Sequence, residues 1–140
     1  MSALTIQDAA SRIKADLASM PPVAEACYRV LDWASVQPAE ARSHVSVQRL
    51  MKTAKLSDPV LFGALVRYLT GARVPLLDLR YEFVEGNDIE PIPAEDIKDA
   101  AKNGMFYHPL TGEVVNDYES KIVVYFAVHS SELSTKEGGE

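Results

Sequence analysis

Residues 45–85, VSVQRLMKTAKLSDPVLFGALVRYLTGARVPLLDLRYEFVE, decide how this chain folds. Val47, Leu50, Met51 and Ala54 stand at i, i+3, i+4 and i+7, the spacing of one helix face. Leu56-Ser57-Asp58-Pro59 closes that helix and opens another. An aspartate side chain caps the free N–H groups of a first turn, and proline fits the first helical position. The second helix is predicted over 59–70, with Gly71 suited to the position just past its end, where glycine takes a left-handed conformation at little cost. A strand follows, placing Leu77, Leu79, Tyr81 and Phe83 on one face and Asp78, Arg80 and Glu82 on the other.

Towards the N-terminus, Thr5 and Asp8 form a variant capping box. It opens a helix with the stripe Ile6, Ala10, Ile13, Leu17 and Met20. Pro21-Pro22 stops that helix and starts another, in which Val23, Ala26, Cys27, Val30, Leu31 and Ala34 form a core-facing stripe. Residues 35–43, with Pro38, read as a loop or a short extra turn, and Ser43 or Ser46 caps the third helix. The fourth helix, 59–70, is apolar around nearly its whole circumference. Such a helix is either deeply buried or lays one face in a partner. Gly63 in its interior costs about 1 kcal/mol against alanine, which a close backbone contact would explain.

Towards the C-terminus, Gly86-Asn87-Asp88 makes a turn and Ile92-Pro93 leads into a short helix over 94–102. Glu95 and Asp96 near its start and Lys98 and Lys102 near its end suit the helix dipole. Asn103-Gly104 ends it, Met105-Phe106-Tyr107 reads as a short strand, and residues 108–112 turn the chain back to Glu113-Val114-Val115. Residues 121–129 form a strand apolar on both faces, hence central or covered on both sides. The tail, 130–140, is polar and glycine-rich and is expected to be disordered.

This order of elements resembles that of winged helix-turn-helix domains over residues 22–126. The resemblance implies an α+β fold. A helical part, 1–73, holds four helices including a helix-turn-helix at 45–71. A winged-helix-like antiparallel β region with one short helix, 74–129, belongs to the same domain; being longer than a plain wing, it reads alternatively as a small separate α+β layer packed on the helical part. It also implies that the helix 59–70 enters a DNA major groove while the wing touches the backbone.

At 140 residues the chain is long enough to bury a core without staples. Its single cysteine forms no internal disulfide and no cysteine-rich zinc site. No run approaches the roughly 18 apolar residues of a membrane span. The start lacks the basic and apolar regions of a signal peptide, so a cytoplasmic protein is expected. Charge is unevenly distributed: residues 1–40 carry net −2, residues 41–73 net +5 and residues 74–140 net −9. The helix-turn-helix is basic and everything after it is acidic.

Motifs for chemistry are missing: no glycine-rich phosphate loop, no G-x-G-x-x-G, no H-E-x-x-H and no G-x-S-x-G. His44, His108 and His129 lie far apart and read as surface or turn histidines. Cys27, inside an apolar stripe, reads as core rather than nucleophile. Asp88, Glu90, Glu95, Asp96 and Asp99 match no cation-loop spacing and read as a solvated helix start. The stretch from Tyr107 to Glu113 is a polar-aromatic turn of the kind binding sites use, and equally an ordinary hairpin tip. No catalytic residue, metal or cofactor is assigned.

Arg42, Arg49, Lys52, Lys55, Arg67 and Arg73 are placed to meet phosphates or an acidic partner. Against base reading, the helix 59–70 offers Val60, Leu61, Phe62 and Gly63 where Arg, Asn, Gln or Ser would be needed, and the acidic wing repels phosphate. The expectation is a small non-enzymatic regulatory or protein-interaction module, acting through the apolar helix (Phe62) and the adjoining basic patch. Its partner is another protein or a second copy whose acidic patch meets the basic one. The alternative is a regulator that binds double-stranded DNA through the helix-turn-helix 45–71.

Overall fold

The computed structural model describes residues 4–128 and 133–134. In chain order the elements are β1 (Leu4–Thr5), α1 (Ile6–Asp16), α2 (Pro21–Val36), α3 (Ala39–Arg42), β2 (Val45–Ser46), α4 (Val47–Ala54) and α5 (Pro59–Leu69). They continue with β3 (Leu77–Glu85), β4 (Asp88–Ile92), α6 (Ala94–Asn103), a 3-10 turn (Tyr118–Ser120), β5 (Ile122–Val128) and β6 (Leu133–Ser134). The described residues form a mixed α+β structure with six helices and an open antiparallel sheet in the order β2-β5-β3-β4. A short parallel pair, β1 with β6, sets Leu4 against Leu133 and Thr5 against Ser134. Two residues of the tail expected to be disordered are therefore paired. The rest of 130–140 lies outside the described residues, as does His129.

Two compact units divide the chain: Met1–Asp78 with Phe126–Glu140, and Leu79–Tyr125. In the first, the capping box forms as the sequence predicts, with the Thr5 hydroxyl accepting from the Asp8 N–H at 3.0 Å. Its core gathers Ile13 from α1, Val23, Cys27, Val30 and Leu31 from α2, Leu50 from α4 and Leu65 and Leu69 from α5. Leu76, Leu77, Phe126 and Val128 complete it from the strands and their approach. Each fully buried Leu, Val or Phe contributes about 1.5–3 kcal/mol relative to exposure. The second unit has a smaller core of Phe83, Ile92, Ala100 and Phe106, with Phe106 stacked on Phe83 and on Tyr118, both at 5.7 Å between ring centres.

Several expectations need correcting. Among the described residues the helical part has five helices rather than four, because the stretch read as a loop or a short extra turn forms the four-residue helix α3. The strand β4 was not foreseen. It pairs with β3 through a two-residue connection, Gly86-Asn87, with Gly86 at φ 62°, the positive φ that tight hairpins require. Pro91 is tolerated there because β4 is at the sheet's edge. Residues 105–107 are not a strand: a single bridge joins Tyr107 to Val114. On β3, Leu77 and Phe83 are buried as expected, while Leu79 is exposed and Tyr81 half-buried.

Gly71 does not take the left-handed conformation, since the Thr70 hydroxyl closes the last turn by donating to Val66 O at 2.7 Å. Left-handed residues end two other helices: Lys55, at φ 54° past α4, with its N–H bonded to the Lys52 and Met51 carbonyls, and Gly104, at φ 76° past α6. The strand β5 is central, as its two apolar faces predict, and Tyr125, Phe126, Ala127 and Val128 are buried in succession. Among the described residues no helix is long and apolar enough to cross a membrane.

Candidate interaction surface

Helix α4 is capped by Ser46, whose hydroxyl accepts from the Arg49 N–H at 3.0 Å. Its inward side buries Leu50 and Ala54 completely. A rotation of 100° per residue therefore puts Gln48, Arg49 and Lys52 on the outward side, and all three are exposed, as is Lys55 just past the end. The Arg49 guanidinium lies 5.8 Å from the ring centre of the half-buried Trp33 of α2. Such a contact at an exposed site is worth about 0.5–1 kcal/mol and orders the side chain without neutralising it. No acidic residue occurs between Glu40 and Asp58, so α4 carries no counter-charge of its own.

The turn into α5 is fixed from both sides. Arg29 of α2 donates to the Ala54 carbonyl at 2.9 Å, satisfying an open C-terminal acceptor. The Asp58 carboxylate accepts from the N–H groups of Val60 at 2.8 Å and Leu61 at 3.1 Å. Beyond the cap, Leu65 and Leu69 are fully buried, while Leu61, Phe62, Ala64, Val66 and Tyr68 are half-buried against the same core. Val60, in the first turn, is 76% exposed. Phe62 is thus partly a packing residue, and Val60 is the apolar side chain that α5 offers to solvent. Among the described residues no backbone comes close to Gly63: a Cβ there would meet Arg67 Nη1 at 3.5 Å, an ordinary contact.

Two of the six basic residues serve the fold. Arg42 of α3 is half-buried and donates to the Ala34 carbonyl at 3.3 Å. Arg73 grips both carboxylate oxygens of Asp16, Nε at 2.9 Å and Nη2 at 3.3 Å. The Tyr68 hydroxyl donates to the same carboxylate at 2.6 Å, and Arg12 donates to the Arg73 carbonyl at 2.8 Å. Arg73, then Tyr68, hold the Asp16 carboxyl below its ordinary value, and Asp16 in turn raises Arg73. Arg49, Lys52, Lys55 and Arg67 remain exposed. Trp33 and Val60 were missed by sequence reasoning. Trp33 lies outside the apolar stripe of α2, which was its one available signal, whereas nothing in the run Val60-Leu61-Phe62 marks Val60 as the exposed member.

In the second unit, His108 is a turn lock. Its Nδ1 accepts from the N–H groups of Leu110 at 3.1 Å and Thr111 at 3.3 Å, so the ring proton belongs on Nε2, which lies 3.7 Å from Glu85. The ring meets Phe83 edge-on at 5.0 Å. Lys121 donates to the other Glu85 oxygen at 2.8 Å and is the main cause that holds the Glu85 carboxyl below its ordinary value. Together with Glu113 and Asn116 these groups line a cavity of about 220 Å³. The arrangement can orient a turn and hold a proton on Nε2.

Cys27 is completely buried, and burial pushes its thiol up to about 12. Among the described residues no three of His, Cys, Asp and Glu are placed to hold a metal ion. Comparison with family models, characterised proteins and solved structures found no match.

Proposed function

We propose that this chain is a small non-enzymatic regulatory or protein-interaction module of winged-helix type, acting in the cytoplasm through α5 and the adjoining basic face of α4. The winged-helix reading is supported by strand order. The short strand β2 before the helix pair lies beside β5, and β5 lies beside β3, so the helix pair is followed by a hairpin-like β3–β5 pairing. On this reading the segment between β3 and β5 in the sequence, with β4 and α6, corresponds to an elaborated wing.

The observation that carries the functional reading is the composition of the exposed surface at the helix pair. Arg49, Lys52 and Lys55 are exposed with no acid between Glu40 and Asp58, and Val60, in the first turn of the next helix, has its side chain in water. A charged rim around an apolar contact suits a protein partner with acidic groups. Base reading lacks its tools, because Asp58 is engaged in the cap and Pro59 and Val60 carry no side-chain donor. One observation favours a second reading. The same three cations in a helix-turn-helix suit phosphates, and binding of duplex DNA through its backbone would need nothing more.

The test measures retention of mixed-sequence duplex DNA at low salt, alongside capture of proteins from a lysate, for the native chain, Lys52→Glu and Val60→Asp. A specific protein retained by the native chain and lost in both folded variants supports the interaction reading. Duplex retention that vanishes with moderate salt and with Lys52→Glu, but persists in Val60→Asp, replaces it with the DNA reading.

A further inference from the structure

The second unit carries the complement of the basic face. On α6, Asp96, Asp99 and Asn103 share one side of the helix, while Glu95, Lys98 and Lys102 share another. The first side borders a cavity of about 260 Å³, completed by Ala100, Met105, Phe106 and Tyr107. Phe106 belongs to the core below. Met105 and Tyr107 are 45% and 55% exposed, and the Tyr107 hydroxyl reaches the Met105 sulfur at 3.9 Å. Across the bridge from Tyr107 stands Val114, 49% exposed. The flanking bonds, Val115 N–H to Phe106 O and His108 N–H to Glu113 O, make Tyr107 and Val114 a close non-hydrogen-bonded pair whose side chains share a face.

Tyrosine and methionine are enriched at protein interfaces, and an exposed apolar patch rimmed by charge marks a contact surface. The volume falls below the roughly 300–1,000 Å³ of small-ligand pockets. It suits one long side chain. Two carboxylates beside an aromatic face select a cation, by charge and by attraction to the ring. Asp96 and Asp99 pair with no basic side chain among the described residues, and neither do Lys52 and Lys55 pair with an acidic one.

We infer that the cavity between α6 and Tyr107 receives a basic side chain from α4 of a second copy of this chain, so that the module associates with itself. The occupant is argued from charge complementarity: the cavity side presents two carboxylates with no basic partner among the described residues, and α4 presents Arg49 and Lys52 with no acid of its own. This inference rests on the interaction reading above and names its partner.

Sedimentation velocity tests it with two charge-reversed variants, Asp96→Lys/Asp99→Lys and Arg49→Glu/Lys52→Glu. The native chain is expected to self-associate at low salt. Each variant, folded by circular dichroism, should associate at least about tenfold more weakly, since like charges then face each other. Mixing the two variants should restore association, because each reversed surface then meets a reversed mate. A native chain that stays monomeric, variants that associate like the native chain, or a mixture that fails to recover would each overturn the inference. The interaction reading falls separately, if the captured protein is not lost in Lys52→Glu and Val60→Asp.

Discussion

Replacing Gly63 with alanine should stabilise the protein. Glycine inside a helix is about 1 kcal/mol worse than alanine, through backbone entropy. The usual reason to keep it, a neighbour too close for a methyl group, does not hold here. Among the described residues the Cβ would meet Arg67 Nη1, at 3.5 Å, and that guanidinium is the movable end of an exposed side chain. The backbone at Gly63 has no positive φ, so alanine adds no strain. The full propensity gain of about 1 kcal/mol is therefore expected. Urea unfolding followed by far-ultraviolet circular dichroism would read it. With a slope of about 1–3 kcal/mol per molar, the midpoint should rise by roughly 0.3–1 M at unchanged slope. A midpoint that stays or falls would refute the packing argument and mean that something approaches Gly63 more closely than the folded chain does.

Removing the helix caps should cost about 0.5–2 kcal/mol each: Ser46→Ala frees the Arg49 N–H, and Asp58→Ala frees those of Val60 and Leu61, both read by the same urea titration. Cys27 should resist a small alkylating reagent at neutral pH and react fully once urea unfolds the chain, as mass spectrometry of the intact protein would record. Asp16 should make stability acid-sensitive. Its carboxyl is lowered in the fold first by Arg73 and then by Tyr68, so its contribution is present above the ordinary carboxylate value and lost as pH falls through the folded value. Urea midpoints measured from about pH 5 downward should fall less steeply in Asp16→Asn than in the native chain.

Local signals carried most of the helical part. The Thr5 capping box, Pro21-Pro22 and Asp58-Pro59 are short-range devices whose partners lie within three residues, so a linear reading finds them. The sheet was harder. The strand β4 contains Pro91 and no clean alternation, and it exists because its backbone completes an edge beside β3, a relation that spacing does not encode. The helix ends were legible only in part: Gly104 takes the left-handed conformation past α6, whereas the Thr70 hydroxyl bonds to Val66 O at the end of α5 and Gly71 has no positive φ.

The candidate surface was legible in its charges and opaque in its accessibility. The basic run was visible, but nothing in it separated Arg73, drawn to Asp16 from 57 residues away, from Lys52, which remains in water. Likewise the acidic second half was apparent from the sequence. Its sorting on α6, with Asp96 and Asp99 beside Tyr107, needed the fold.

The central claim is that the surface of α4 and the first turn of α5 meets another protein. A photo-crosslinking amino acid in place of Val60 tests it most directly, since that side chain is 76% exposed and a change there disturbs no buried contact. The same group in place of the exposed Lys14 on α1 serves as the control. The account predicts a discrete protein adduct from position 60 in living cells, lost when Arg49 and Lys52 become glutamate and not formed from position 14. Adducts to nucleic acid alone, or the same adducts from both positions, would contradict it.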